Sequence, residues 1–206
     1  MLRGNNITHY TLHITQMIAR RLPAIAVLCS GRGTNLQAII NAVRARRLRA
    51  HIAVVISDRT DAFALVRAKR AGVARAFVNP HECSTREGFD RRLINILDQH
   101  EVRLVCLAGF MRVLSPLFVR RFRSRILNIH PALLPAFPGA SAIRDALAGG
   151  AKVTGVTVHL VDEQVDHGPI LLQEAVPIRP GETERSLLAR IHRVEHRLYP
   201  RAIALK

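Results

Sequence analysis

Ala24-Ile25-Ala26-Val27-Leu28-Cys29-Ser30-Gly31-Arg32-Gly33-Thr34-Asn35-Leu36 is the stretch on which the fold turns. Its first six residues are apolar without alternation, the pattern of a strand covered on both faces. A Ser-Gly-Arg-Gly turn follows at once, and a helical pattern then runs over 35–46. A strand that feeds a helix through a glycine turn opens a parallel sheet wrapped by helices.

The same alternation continues downstream. Further short apolar runs at 50–57, 74–78, 104–108 and 126–130 read as strands, and the segments 62–71, 84–99 and 116–122 read as helices between them. Ser84 and Glu87 stand at capping-box spacing at the start of the third helix. Residues 154–161 alternate and 170–176 follow a Gly-Pro turn, so both read as strands added at the far end of the sheet, before a closing helix over 183–198. The fold class is α/β, an open, mostly parallel twisted sheet with helices on both faces, Rossmann-like in plan.

The length of 206 residues fits one α/β domain, or one domain plus a tail, with a full core. Residues 1–22 are polar, free of Asp and Glu, and without a clear period until Ile14–Ile18, so they read as a loosely attached extension to a domain over 23–206. An organelle transit peptide has this composition, and so does an upstream start codon with Met17 as the internal start. No apolar run reaches the roughly 20 residues that span a bilayer. Cys29, Cys83 and Cys106 are too few and too scattered for a disulfide framework or a metal cluster, which fits a reducing compartment and a cytoplasmic protein.

A net charge of +16 raises the question of nucleic acid. Many arginines fall within helical patterns (Arg44, Arg46, Arg47 and Arg49; Arg91 and Arg92; Arg185, Arg190 and Arg193), where a solvated face explains them. Two Tyr and no Trp leave few platforms for stacking bases. The charge is better suited to attracting anionic small molecules, and neither a nucleic-acid nor a membrane partner is expected.

Three segments carry chemistry. The turn after the first strand lets backbone amides approach a phosphate at a helix N-terminus. It lacks the Gly-Lys-Ser/Thr ending of a Walker loop and the third glycine of a dinucleotide fingerprint, so a monophosphate is the better fit, and a plain tight turn has the same pattern. Asn128-Ile129-His130-Pro131 ends an apolar strand, and alternation places Asn128 and His130 on one side of it. An amide and an imidazole together suit an oxyanion on a tetrahedral carbon; a histidine satisfied by a nearby carbonyl is the alternative. The acidic loop 162–166 precedes His167-Gly168-Pro169, whose tight turn could hold Asp166 against an imidazole, although a loop carboxylate is more often solvated. Neither a Gly-x-Ser-x-Gly nucleophile nor a His-Glu-x-x-His metal motif occurs.

Taken together, residues 30–37, Ser84-Thr85-Arg86-Glu87, 107–116, 127–131, 166–170 and Glu195-His196 before Tyr199-Pro200 resemble, in this order, the phosphoribosylglycinamide formyltransferase family of folate-dependent formyltransferases. The resemblance implies formyl transfer from 10-formyltetrahydrofolate, as co-substrate, to the amine of 5-phosphoribosylglycinamide in purine biosynthesis, without a metal, by a monomer or homodimer. It implies a reaction centre of Asn128, His130 and Asp166. Gly33, Thr34, Asn35 and His192 would hold the substrate phosphate and Glu195 its ribose hydroxyls. Arg86 would meet the folate's acidic tail, Met111, Arg112, Val113 and Leu114 would line the pterin pocket, and the loop from Asp162 to Asp166 would close over it.

Three features depart from the family pattern. Ser141 and Ile143 stand where relatives commonly carry His, His192 stands where Gln or Lys is usual, and the chain ends at Lys206 where relatives usually continue. Formyltetrahydrofolate hydrolase shares the Asn-x-His and Asp pattern but usually carries a regulatory domain larger than 22 residues. A formyltransferase acting on initiator methionyl-tRNA normally adds a C-terminal domain. A non-catalytic folate-binding relative is the remaining alternative.

Overall fold

The computed structural model describes residues 22–206. The extension expected at 1–22 lies, apart from Leu22, outside the described residues. In chain order the elements are β1 (Ala24–Leu28), α1 (Thr34–Arg44), β2 (His51–Ser57), α2 (Phe63–Ala71), β3 (Arg75–Phe77), a 3-10 turn (Pro80–Glu82), α3 (Arg86–Gln99), β4 (Leu104–Leu107), α4 (Pro116–Arg121), β5 (Ile126–His130), α5 (Ala142–Ala148), β6 (Val153–Leu160), β7 (Ile170–Pro177) and α6 (Glu184–Ile203). Strand order is β3-β2-β1-β4-β5-β6-β7. The first five strands are parallel, whereas β6 and β7 are antiparallel additions.

The unalternating run of β1 has a direct cause. Ile25 and Val27, with Cys29 just beyond the strand, pack into one core layer with Leu36 and Ile39 of α1, Ala64 of α2 and Leu187 and Ile191 of α6. Ala26 and Leu28 point the other way, into a second layer with Phe89 and Leu93 of α3 and Phe118 of α4. Both faces of the sheet are therefore covered by helices. Cys29 and Cys106 are fully buried, and burial pushes the Cys29 thiol up to about 12 and that of Cys106 further still. Neither is a nucleophile at neutral pH.

Four local expectations need correcting. Thr85, not Ser84, caps α3, its hydroxyl accepting the Gly88 N–H at 3.0 Å. The seven-residue helix α5 has no sequence signal strong enough to announce it. The first helix ends at Arg44, so the exposed Arg46, Arg47 and Arg49 lie on the loop before β2 and not on a helix face. Finally, α6 runs through Pro200 to Ile203, although proline usually ends a helix. Tertiary packing overrides it: Tyr199, Ala202 and Ile203 are all buried in the first core layer.

The Tyr199 hydroxyl lies 2.8 Å from the Leu107 carbonyl and 3.0 Å from that of Leu127, tying α6 to β4 and β5 beneath the candidate site. Tyr199→Phe leaves two buried carbonyls without this donor and should cost about 1–3 kcal/mol. Chemical denaturation checks this, and a loss below about 0.5 kcal/mol would assign the anchoring to ring packing alone.

Strand order reverses between β1 and β4, so the loops leaving their carboxyl ends diverge and open a crevice. Ser30 bridges its floor. Its N–H donates to the Gly109 carbonyl and its hydroxyl accepts the Met111 N–H, both at 3.0 Å.

Candidate active site

Asn128 and His130 project from the same face of β5, as alternation requires, into a cavity of about 280 Å³. Its walls include Met111 to Leu114 on one side and the loop from Asp162 to Asp166 on the other. Met111, Val113 and Val165 are 70%, 54% and 57% exposed around it. Apolar side chains left open beside a polar floor mark a place for a flat, largely apolar ligand.

Asp166 reaches the floor because its loop doubles back on β6. A Cβ on Gly168 would lie 1.9 Å from the Leu160 carbonyl oxygen, so only glycine allows the return. Oδ2 of Asp166 accepts the Gly139 N–H at 2.8 Å and lies 3.3 Å from His130 Nδ1, while Oδ1 accepts from Asn128 Nδ2 at 3.2 Å. Burial disfavours the ionised carboxyl, but hydrogen bonds from His159 and the Gly139 amide, with the charges of His130 and His159, outweigh it and hold Asp166 below the usual carboxylate range. The carboxylate is therefore present at neutral pH.

The other nitrogen of His130, Nε2, donates to the Phe137 carbonyl at 2.8 Å. The two ring nitrogens thus face two acceptors, an arrangement that an imidazolium satisfies in full. The carbonyl alternative raised by the sequence is realised here together with the carboxylate contact.

One participant was missed. His159 sits on β6 directly opposite Asn128, its Nε2 3.2 Å from Asn128 Nδ2 and 3.6 Å from Asp166 Oδ1. Its Nδ1 donates to the Leu160 carbonyl at 2.9 Å, which orients the ring. A neutral His159 accepts from Asn128 and a charged one donates to Asp166. The only signal in the sequence was a histidine in an alternating strand, and the antiparallel register that makes it matter is a tertiary fact.

The acidic loop is braced from within. Asp162 accepts the Gln164 N–H at 2.9 Å and pairs with His167 at 2.8 Å, and Glu163 pairs with Arg120 of α4 at 3.2 Å. Burial opposes ionisation of Asp162 as well, but these donors, with the charges of His167 and His159, lower its carboxyl. Beside the cavity, and sharing Met111, Arg112 and Val113 with it, a second cleft of about 470 Å³ is lined by Arg86.

At the first loop the structure departs from expectation. Gly33 has φ 68 and its added Cβ would meet Ala64 at 2.7 Å, so this glycine is required first by the packing of α2. The Asn35 side chain is turned inward, its amide donating to Glu195 at 2.9 Å, so only its backbone N–H is left at the turn. Burial raises the Glu195 carboxyl, against the Asn35 hydrogen bond and the His192 charge. His192 lies 4.0 Å from Glu195. Asn35, His192 and Glu195 are thus brought together, and α1 begins at Thr34 without a side-chain cap, leaving its first amides for an anion. At the positions where relatives commonly carry His, Ile143 is buried in the core and Ser141 accepts from Arg144 at 2.6 Å.

What the site can do follows from this inventory. It offers a carboxylate–imidazole pair, an amide donor and an apolar rim, and no side chain arranged as a covalent nucleophile. Among the described residues no group of three His, Cys, Asp or Glu side chains could hold a metal ion.

Residues 24–203 match the family model described as formyl transferase. Phosphoribosylglycinamide formyltransferase of Escherichia coli is 43% identical over 180 residues, covering 87% of this chain and 85% of that protein. The trifunctional purine biosynthetic protein adenosine-3 of Drosophila melanogaster is 46% identical over 192 residues, but this chain spans only 14% of its length. Among solved structures, glycinamide ribonucleotide transformylase 1 from Symbiobacterium toebii is 52% identical, with a TM-score of 0.88 over 89% of this chain and 87% of that one. The family model spans most of the chain and the fold matches that of the solved structure, so the chain belongs to the formyl transferase family.

Proposed function

We propose that this protein transfers the formyl group of 10-formyltetrahydrofolate to the amine of 5-phosphoribosylglycinamide, giving formylglycinamide ribonucleotide and tetrahydrofolate in purine biosynthesis. The observation that carries the reading is Asp166 bonded to Asn128 and facing His130 at the floor of a cavity with an exposed apolar rim. The relatives named above support it.

The cavity fits the co-substrate's ring: Met111, Val113 and Leu114 supply apolar wall, and Asp162 and Asp166 supply acceptors. Arg86 and Arg112 stand in the adjoining cleft, where an acidic tail would lie. When bound, the folate supplies the activated formyl group. The chain's own part is to orient and to handle charge. Asn128 and His130 give hydrogen bonds to the oxyanion as the amine attacks, so at least one N–H that now faces Asp166, His159 or Phe137 must turn towards it. Asp166 holds the His130 ring in place and faces it with a negative charge. The amides at the start of α1, with His192, hold the substrate phosphate, and Glu195 takes ribose hydroxyls. Localisation in the cytoplasm agrees with the three free cysteines.

The test is tetrahydrofolate release by purified protein with and without phosphoribosylglycinamide. Release that depends on the amine supports the proposal. Release without it identifies a hydrolase, and folate binding without turnover a non-catalytic relative.

A further inference from the structure

Asp90 is an anomaly outside the reaction centre. It lies on α3, one turn after Arg86, and is 1% exposed, yet it is a carboxylate. Burial pushes its carboxyl up, against hydrogen bonds from Ser115 and the charges of Arg86 and Arg112. Placing an ionisable group there is costly unless its contacts do something that an apolar residue could not.

Its contact is specific. Oδ2 accepts the Ser115 N–H at 2.6 Å. Ser115 is fully buried and caps α4, and it directly follows Leu114, the end of the segment that walls the cavity. The other end of that segment is held by Ser30, through Gly109 and Met111. Segment 109–115 is thus pinned at two points, one from the β1 turn and one from α3. Next to Asp90, the Phe89 ring lies under the Arg112 guanidinium, 4.9 Å from its centroid. A single turn of α3 therefore sets both Arg86 and the segment bearing Arg112, the two cations of the adjoining cleft.

We propose that Asp90 is a positioning residue for folate binding: through Ser115 its buried carboxylate fixes the 109–115 wall relative to Arg86, without touching the ligand. This rests on the folate reading above. It makes a prediction that a purely structural role does not, because segment 109–115 with Arg86 lines the cavity and the cleft assigned to the folate. The α1 turn, His192 and Glu195, assigned to the other substrate, lie on different elements.

The experiment uses the full chain carrying Asp90→Ala or Asp90→Asn, with calorimetric titration of 5-formyltetrahydrofolate and steady-state kinetics for both substrates. Asp90→Ala should raise the folate Kd and KM about 10- to 100-fold, as expected for a displaced binding wall and a lost charge-assisted hydrogen bond. The KM for phosphoribosylglycinamide should stay within about twofold. Asp90→Asn keeps an acceptor for the Ser115 N–H and should recover most of the folate affinity. Should the alanine variant not fold, Asp90→Ser, whose shorter side chain withdraws the acceptor, is read in the same way. Parental folate affinity in a folded Ala or Ser variant overturns the proposal, as does equal weakening for both substrates. If the parent protein itself binds no 5-formyltetrahydrofolate, the folate reading falls and this inference with it; if the parent binds and only the variant result fails, the folate reading stands.

Discussion

Asp166→Asn should lower kcat by about 10² to 10⁴ with a smaller change in either KM, the usual size of a lost acid–base contribution. The substitution keeps the shape and the acceptor for the Gly139 N–H but removes the charge that faces His130 at 3.3 Å and His159 at 3.6 Å. Asp166 and His130 act on one developing charge, so Asp166→Asn combined with His130→Ala should cost little more than the worse single change. One pH effect follows. The parent carboxyl titrates below its usual value of 3.8. Its contribution to stability is therefore fully present above that value and is lost as pH falls through the lower folded one. The Asn variant lacks that contribution at neutral pH, and its stability should change less on acidification. A variant with near-parental kcat would make Asp166 a loop charge and sink the mechanism.

Gly33→Val should damage the fold as well as the site. From the sequence alone, such a change blocks the approach of backbone amides to a phosphate and weakens phosphoribosylglycinamide binding far more than folate binding. The structure adds two stronger objections: φ is 68 at Gly33, and a Cβ there would lie 2.7 Å from the Ala64 Cβ and 2.8 Å from its Cα. A β-branched residue in the left-handed region costs about 1–2 kcal/mol, and overpacking a close helix contact about 1–3 kcal/mol more. A loss of about 2–5 kcal/mol by denaturation is therefore expected, along with weaker binding of the phosphorylated substrate. A variant of parental stability would show that α2 can move away, returning the glycine's role to the ligand.

Much of the sheet was legible in the sequence because its signal is local. β5 was read at Ile126–His130 as found, and β1 and β2 within one residue at their ends, since buried parallel strands are unbroken apolar runs bounded by turn residues. What was lost had weak local signals or strong misleading ones. The helix α5 is too short to show a period, Pro200 looked like a stop, and Ser84 and Thr85 are equally good caps until the chain chooses one.

The candidate site divides in the same way. Asn128, His130 and Asp166 could be singled out as candidates from residue types and spacing, because alternation along one strand and a glycine turn are properties of neighbouring residues, and it was the family resemblance that implied one reaction centre. That His159 joins them, that Phe137 and Gly139 complete the hydrogen bonds, and that Asn35 turns to Glu195 could not be read there. Each of these depends on residues far apart in the chain, as with Asn35 and Glu195, 160 positions apart, or on how a turn folds back. The sequence by itself determined most of the strands and helices and which residue types they carry. Only the tertiary structure decided which side chains meet, because strand register, helix docking and the return of a loop are set by packing over the whole core, and no local pattern encodes them.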